Sequence, residues 1–151
     1  MKTSKPVNMF PDELRVPCDY CQKNLLENPE AGIIAYLEEK SRFHSSGEPT
    51  PPHYHDMYFS CKGDCDRALQ AQYENAGFYA GGWNDIHDFT IPTQYLIKLM
   101  AFINGIKDNE FEPALIDKMK SFLVSLFPYI AREMTQEEKE RSDVLQSLPF
   151  C

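Results

Sequence analysis

Two short stretches decide how this chain folds: Cys18-Asp19-Tyr20-Cys21 and Cys61-Lys62-Gly63-Asp64-Cys65. The chain has five cysteines, and four of them fall in these two pairs, which 39 residues separate. In a reducing compartment, close cysteine pairs bind metal more often than they form disulfides. Zinc favours four such ligands in a tetrahedron. We therefore predict one structural zinc ion per chain, bound by Cys18, Cys21, Cys61 and Cys65.

Each pair has a mechanical reason to bind. A two-residue spacing lets one turn bring the sulfurs of Cys18 and Cys21 to the same side, with backbone N–H groups pointing at the thiolates. A spacing of four along a helix would put Cys61 and Cys65 on one face. The positive end of that helix would also stabilise thiolate.

The same stretches carry a resemblance to a known family. Cys18–Lys23 resembles a zinc knuckle of the type Cys-x-x-Cys-Gly-Lys, with Gln22 where glycine is usual. Tyr58–Cys65 resembles the strand-to-helix half of a treble-clef zinc finger. Together, residues 16–76 resemble a treble clef, which implies a knuckle, a β-hairpin and a helix whose first turn gives two ligands. The long hairpin segment and the three residues between Cys61 and Cys65 depart from that pattern. The resemblance implies a metal-bound fold and not an activity.

Other interpretations of the site stay open. His53 or His55 could replace one cysteine in a mixed site, or the cysteines could be disulfides, redox groups or unrelated buried thiols. The two histidines, with Asp56, could also form an open metal site that activates water. We favour a role for them near the zinc or on the surface, because the sequence has no His-Glu-x-x-His helix. Cys151 is expected to be an exposed free thiol.

The first half of the chain predicts two strands and a helix. Residues 32–37 are typical of a strand, although residues 35–40 are compatible with a helix, and residues 55–60 predict a second strand. A helix is predicted from the Cys61–Cys65 region to about Asn75, with Gly77 as its C-terminal stop.

The segment after this helix predicts a junction. Gly81-Gly82 indicates a hinge or tight turn, and we expect Trp83 to plug the contact between the two halves of the chain. A catalytic pair between His87 and its neighbouring aspartates is disfavoured, because no nucleophile stands near in sequence.

The second half predicts helices. Helical periodicity begins at Pro92, a second stretch begins at Pro113, and Thr135–Glu138 has a capping-box pattern that opens a last helix toward Leu148. The fold class is therefore α+β: a zinc-binding head of residues 1–80 packed as one compact unit on a helical bundle of residues 81–151. The apolar residues expected to be buried in that bundle are Leu96, Leu99, Phe102, Ile103, Leu115, Met119, Phe122, Leu123 and Leu126.

Composition limits the partners. The formal net charge is −8 and the pI is about 4.9, and each half of the chain carries about half of the charge. Such a field repels phosphate backbones, so nucleic-acid binding is disfavoured. No apolar run reaches the roughly 20 residues of a membrane span, and the N-terminus lacks a signal-peptide pattern, so we expect a cytoplasmic protein.

These features lead to three functional hypotheses. The first is a non-catalytic protein-interaction module or inhibitor, held by zinc, whose partner is a protein and could be basic. The second is a nucleic-acid-binding treble clef that uses Lys62 and Arg67. The third is a zinc-dependent hydrolase or nuclease-like enzyme that uses His53 and His55.

Overall fold

The computed structural model describes residues 10–11, 13–40, 52–131 and 136–141. The chain is a mixed α/β protein, which confirms the predicted class in its coarse form. Its strands are β1 (Gly32–Glu39), β2 (Asp56–Cys61) and β3 (Phe78–Asp85). Its helices are α1 (Asp64–Asn75), α2 (Pro92–Lys107), α3 (Pro113–Ile130) and α4 (Gln136–Arg141).

The three strands form one antiparallel sheet in the order β2-β1-β3. Since β2 and β3 both run antiparallel to β1, they are parallel to each other, and α1 connects them. Alternate residues of a strand point to opposite faces of a sheet. Ala35, Leu37 and Tyr58 accordingly pack with Leu69 of α1, while Ile34 and Met57 pack with the residues of α2 and α3.

The core against α2 and α3 is aromatic. The Phe122 ring lies 5.3 Å from the Phe59 ring and 5.2 Å from the Phe89 ring. These contacts tie α3 to β2 and to the 3-10 turn Ile86–Phe89 that follows β3. The predicted stripe of α3 is confirmed, because all five of its named residues are buried: Leu115, Met119, Phe122, Leu123 and Leu126.

The predicted stripe of α2 is only partly correct. Phe102 is buried and Leu99 is partly buried, but Leu96 is 38% exposed and Ile103 is 52% exposed. The physical reason is that α2 contributes Tyr95 and Phe102 to the core, so a neighbouring part of its apolar surface faces outward.

The predicted strands, the helix and its stop are confirmed, but the predicted turn at Gly81-Gly82 is wrong. Gly77 follows α1 with φ 97°, a conformation that glycine adopts without strain. Gly81 and Gly82 lie inside β3, where Tyr36 pairs with Gly82 and Leu37 with Ala80. Gly81 is therefore the extra residue of a bulge, and a Cβ atom there would collide with the Glu38 carboxylate.

The predicted burial of Trp83 at a junction is also wrong. Trp83 is 61% exposed and pairs with Ala35, so it lies on the sheet face that α1 covers. The junction is filled instead by Ile86 and Phe89, which are buried in the core with α2 and α3. Trp83 was expected there because the segment was taken for a loop between the two halves, but the residue belongs to β3 and strand alternation puts its ring on the opposite face.

Two other predictions concern the boundary between the halves and the last helix. The boundary after residue 80 falls inside β3, and the division into 1–80 and 81–151 stays a prediction. The last helix is described as Gln136–Arg141, whereas Thr135, Leu148 and Cys151 lie outside the described residues. Within the described ranges, no helix is long and apolar enough to cross a membrane.

Candidate metal centre

The first cysteine pair lies in a tight turn. The Gln22 N–H donates to the Cys18 carbonyl at 2.9 Å, and the Cys18 N–H donates to the Lys23 carbonyl at 2.8 Å. The N–H groups of Tyr20 and Cys21 point at the Cys18 Sγ atom, at 3.4 and 3.5 Å. Gln22 has φ 69°, in the left-handed region that favours glycine. The turn thus supplies the backbone donors that were expected from the Cys-x-x-Cys spacing.

The second pair bridges a strand and a helix. Cys61 is the last residue of β2, and Cys65 is the second residue of α1. The expectation that one helix face presents both cysteines is therefore wrong, because the chain turns at Gly63 before the helix begins. Gly63 has φ 90° and ψ −121°, a conformation that is strained for residues with a side chain. The turn is held by the Lys62 N–H, which donates to the Ala31 carbonyl at 2.8 Å.

Direct hydrogen bonds join the two pairs. The Asp19 N–H donates to the Phe59 carbonyl at 2.8 Å, and the Phe59 N–H donates to Asp19 Oδ2 at 2.9 Å. These bonds hold the turn against β2. Sequence spacing gave no sign of this role for Asp19, because its partner is distant along the chain.

The result is one cluster of four sulfur atoms. The Sγ atoms of Cys18, Cys21, Cys61 and Cys65 all lie within 4.8 Å of one another. The Sγ atoms of Cys21 and Cys61 are 3.7 Å apart. A tetrahedral zinc ion with Zn–S distances of about 2.3 Å separates its sulfurs by about 3.8 Å. The cluster is therefore close enough to bind a metal ion, and it is consistent with a zinc-finger-like segment.

The surroundings lower the pKa of one thiol and raise the pKa of two others. Burial raises the pKa of Cys18, but hydrogen bonds from the backbone of Cys21, Cys61 and Tyr20 outweigh it and bring the pKa to about 7. Burial, together with the neighbouring cysteines, raises the pKa of Cys61 to about 11 and that of Cys65 to about 12. The backbone thus favours the Cys18 thiolate. Burial and the nearby cysteines oppose ionisation of Cys61 and Cys65, and the positive charge of a bound cation would favour it.

The structure places both histidines away from the cysteines. The His55 N–H donates to the Leu37 carbonyl at 2.7 Å, while Cys61 pairs with Gly32 at the other end of β1. Five residues of strand correspond to roughly 16 Å. Within the described ranges, the cysteine cluster is the one group of side chains arranged to hold a metal ion.

Each histidine instead has a carboxylate partner. His53 Nε2 lies 2.6 Å from Glu112 Oε2, and its Nδ1 lies 3.0 Å from the Asn109 carbonyl. His55 Nε2 lies 2.9 Å from Glu39 Oε1. These contacts place His53 between the sheet and the loop that joins α2 to α3.

The two basic residues of the nucleic-acid hypothesis, Lys62 and Arg67, also have acidic partners. The Lys62 ammonium lies 2.5 Å from Asp85 Oδ1, and the Arg67 guanidinium pairs with Asp64. His87, the other residue singled out in the sequence, lies in the 3-10 turn after β3, with its Nδ1 3.5 Å from the Thr90 hydroxyl.

No protein-family model, curated protein or solved structure matches this chain. The function therefore has to be inferred from its own residues.

Proposed function

We propose that the chain is a zinc-stabilised, non-catalytic protein-interaction module. Its four thiolates would hold one structural zinc ion per chain and so fix the start of α1 against the sheet. The observation that carries this proposal is the cluster of four sulfur atoms within 4.8 Å of one another. Four thiolate ligands close the tetrahedron, whereas catalytic zinc keeps one position open for water or substrate.

A treble-clef arrangement is the finer form of this proposal. The order of turn, hairpin and helix supports it, and so does the positive φ of Gln22 at the position where a knuckle has glycine. Cys61 departs from the pattern, because it ends a strand and does not belong to the helix. The long segment between β1 and β2 is a second departure.

Charge favours a protein partner over a nucleic acid. The net charge of −8 attracts basic surfaces and repels phosphates. Lys62 and Arg67 are the basic residues on which the nucleic-acid hypothesis rests, and each is paired with an aspartate. The hydrolase hypothesis stays a prediction, and the carboxylate partners of His53 and His55 give it no added support.

The metal part of the proposal is tested by elemental analysis of purified wild type and two variants. Wild type should hold one zinc ion per chain, and Cys61→Ser should lose most of it. His55→Ala is the matched control and should keep a stoichiometry near one, since its ring pairs with Glu39. Full zinc in Cys61→Ser would refute the site. Zinc lost in His55→Ala alone would move the site to mixed ligands and favour the hydrolase.

The interaction part is tested by affinity capture with the zinc-loaded protein. A basic protein should be retained at low salt and released as the salt concentration rises, because exposed charges are screened within about 10 Å at 0.1 M. Retention of nucleic acid in its place would contradict the proposal. Catalytic turnover that His55→Ala abolishes would contradict it as well.

A further inference from the structure

A cavity of about 370 Å³ lies between α1 and the sheet, beside the turn that joins Cys61 to Cys65. Its size falls in the range of small-ligand pockets. The lining combines apolar residues with an indole ring and polar side chains: Ile33, Ala35, Ala80, Trp83, Lys62, Gly63, Asp66 and Gln70.

The charges in this cavity are not balanced. The Lys62 ammonium is engaged by Asp85 at 2.5 Å. Asp66 is held by two neutral donors, since Oδ1 accepts from the Tyr58 hydroxyl at 2.5 Å and Oδ2 from Gln70 Nε2 at 2.9 Å. In the part of the chain that the structure describes, no cationic side chain pairs with Asp66. Its carboxylate is therefore held in one orientation by hydrogen bonds but is not paired with a positive charge.

Trp83 adds a second element of cation recognition. It is the chain's single tryptophan, lies 61% exposed and lines the same cavity. The face of an indole ring attracts cations, and arginine in particular stacks on it. A carboxylate and an exposed indole around one cavity suit a planar cation that can stack and donate hydrogen bonds together.

We propose that this cavity binds the guanidinium group of an arginine side chain on a partner protein. The arginine stem would pack along the apolar lining while the guanidinium stacks on Trp83 and donates to Asp66. The inference rests on the proposed interaction function, and it names the surface and the chemistry of the partner. The net charge of −8 favours the approach of such a partner.

The test is an NMR titration of ¹⁵N-labelled, zinc-loaded protein with the capped peptide acetyl-Gly-Gly-Arg-Gly-Gly-amide. The same peptide with citrulline is the matched control, because citrulline keeps the shape of arginine without its charge. The arginine peptide should shift the amides of Gly63, Asp66, Gln70 and Trp83 in a saturable way. The citrulline peptide should bind at least about tenfold more weakly, which corresponds to losing one charge-assisted hydrogen bond.

Two variants locate the site. Trp83→Ala and Asp66→Asn should each weaken binding about tenfold, because each removes one of the two recognition elements. Tyr20→Ala is the control, since Tyr20 is also an exposed aromatic residue but does not line the cavity. Trp83 is exposed, so its removal should leave the fold intact even if Asp66→Asn disturbs Tyr58.

Several results would overturn the inference: no saturable shift, equal binding of the citrulline peptide, or unchanged binding by Trp83→Ala. Shifts confined to the apolar groove of Ile103, Val124 and Phe127 would overturn it as well. Zinc content is measured on the same samples. If zinc-bound protein does not bind the peptide, the arginine-binding proposal fails and the zinc proposal stands. If zinc-free wild type binds the peptide, the arginine-binding proposal is supported and the zinc proposal fails.

Discussion

Asp19 and Phe59, 40 residues apart in the chain, exchange two hydrogen bonds, one between backbone groups and one through the Asp19 carboxylate. The first cysteine pair is thereby attached to β2 by protein contacts as well as by any bound ion. A preformed arrangement of this kind reduces the chain entropy that is lost when a metal ion binds.

Replacing Asp19 by alanine should lower zinc affinity about tenfold, because outer groups that orient metal ligands typically contribute 10–100-fold. The bond to the Phe59 N–H is exposed, which places the effect at the lower end of that range. Competition with a chromogenic chelator measures the affinity. Asp64→Ala is the control, since Asp64 is also exposed and next to the site but pairs with Arg67 on its own helix. Equal affinities of the two variants would show that the Asp19 bonds do not position the site.

Zinc binding at pH 7.5 should release at least two protons per ion. With pKa values of about 11 and 12, the thiols of Cys61 and Cys65 hold their protons at that pH and must lose them to become ligands. Affinity should therefore rise with pH and fall on acidification. Calorimetry in two buffers of different ionisation enthalpy counts the protons. Release of fewer than two protons per bound ion would contradict the raised pKa values.

Replacing Phe122 by alanine should reduce the free energy of unfolding by about 3–5 kcal/mol, the usual cost of truncating a buried aromatic ring. Its ring is buried between those of Phe59 and Phe89. Phe127→Ala removes the same kind of side chain five residues later on α3, where it is 56% exposed, and should cost less than about 1 kcal/mol. Urea denaturation of the zinc-loaded proteins gives both values. Similar losses would mean that the Phe127 face is covered in solution.

Replacing Gln22 by glycine should stabilise the zinc-loaded protein by about 0.5–1 kcal/mol. A left-handed conformation costs a side-chain-bearing residue roughly 1–2 kcal/mol. Glycine removes that strain, but the greater freedom of the unfolded chain offsets part of the gain, about 0.5–1 kcal/mol. Asn109 has φ 59° and is the comparison, because asparagine tolerates this region and Asn109→Gly should gain less. A Gln22→Gly protein less stable than wild type in urea would contradict the expectation.

Local spacing explains what the sequence predicts well. Cys18 and Cys21 are close in the chain, so their spacing alone predicts that one turn brings them together. The apolar repeat of α3 packs against a single surface, so its periodicity alone predicts which residues are buried. The α2 repeat predicts an apolar stripe but not which part of it another element covers, and Ile103 is exposed for this reason. The position of Trp83 depends on its pairing with Ala35, which lies 48 residues away and leaves no local signal.

The same limit applies to the site. The four cysteines could be grouped from their spacing alone, but the turn at Gly63 that separates Cys61 from the helix depends on how β2 ends. The role of Asp19 depends on β2 being beside the turn. The cavity at Asp66 and Trp83 forms because α1 packs on the face of the sheet to which β3 contributes Trp83. Neither residue stands in a recognisable motif.

The order of the elements along the chain determines which surfaces are uncovered while the protein is being synthesised. The four cysteines of the cluster have been made once the ribosome reaches Cys65, and the sheet can be completed at Asp85. The sheet face of Ile34, Met57 and Phe59 must then wait for α3, whose Phe122 is added 37 residues later. Nascent chains that expose apolar surface in this way are prone to aggregate. A truncated chain ending at Asp85 would therefore keep the whole cysteine cluster and still depend on a chaperone to remain in solution.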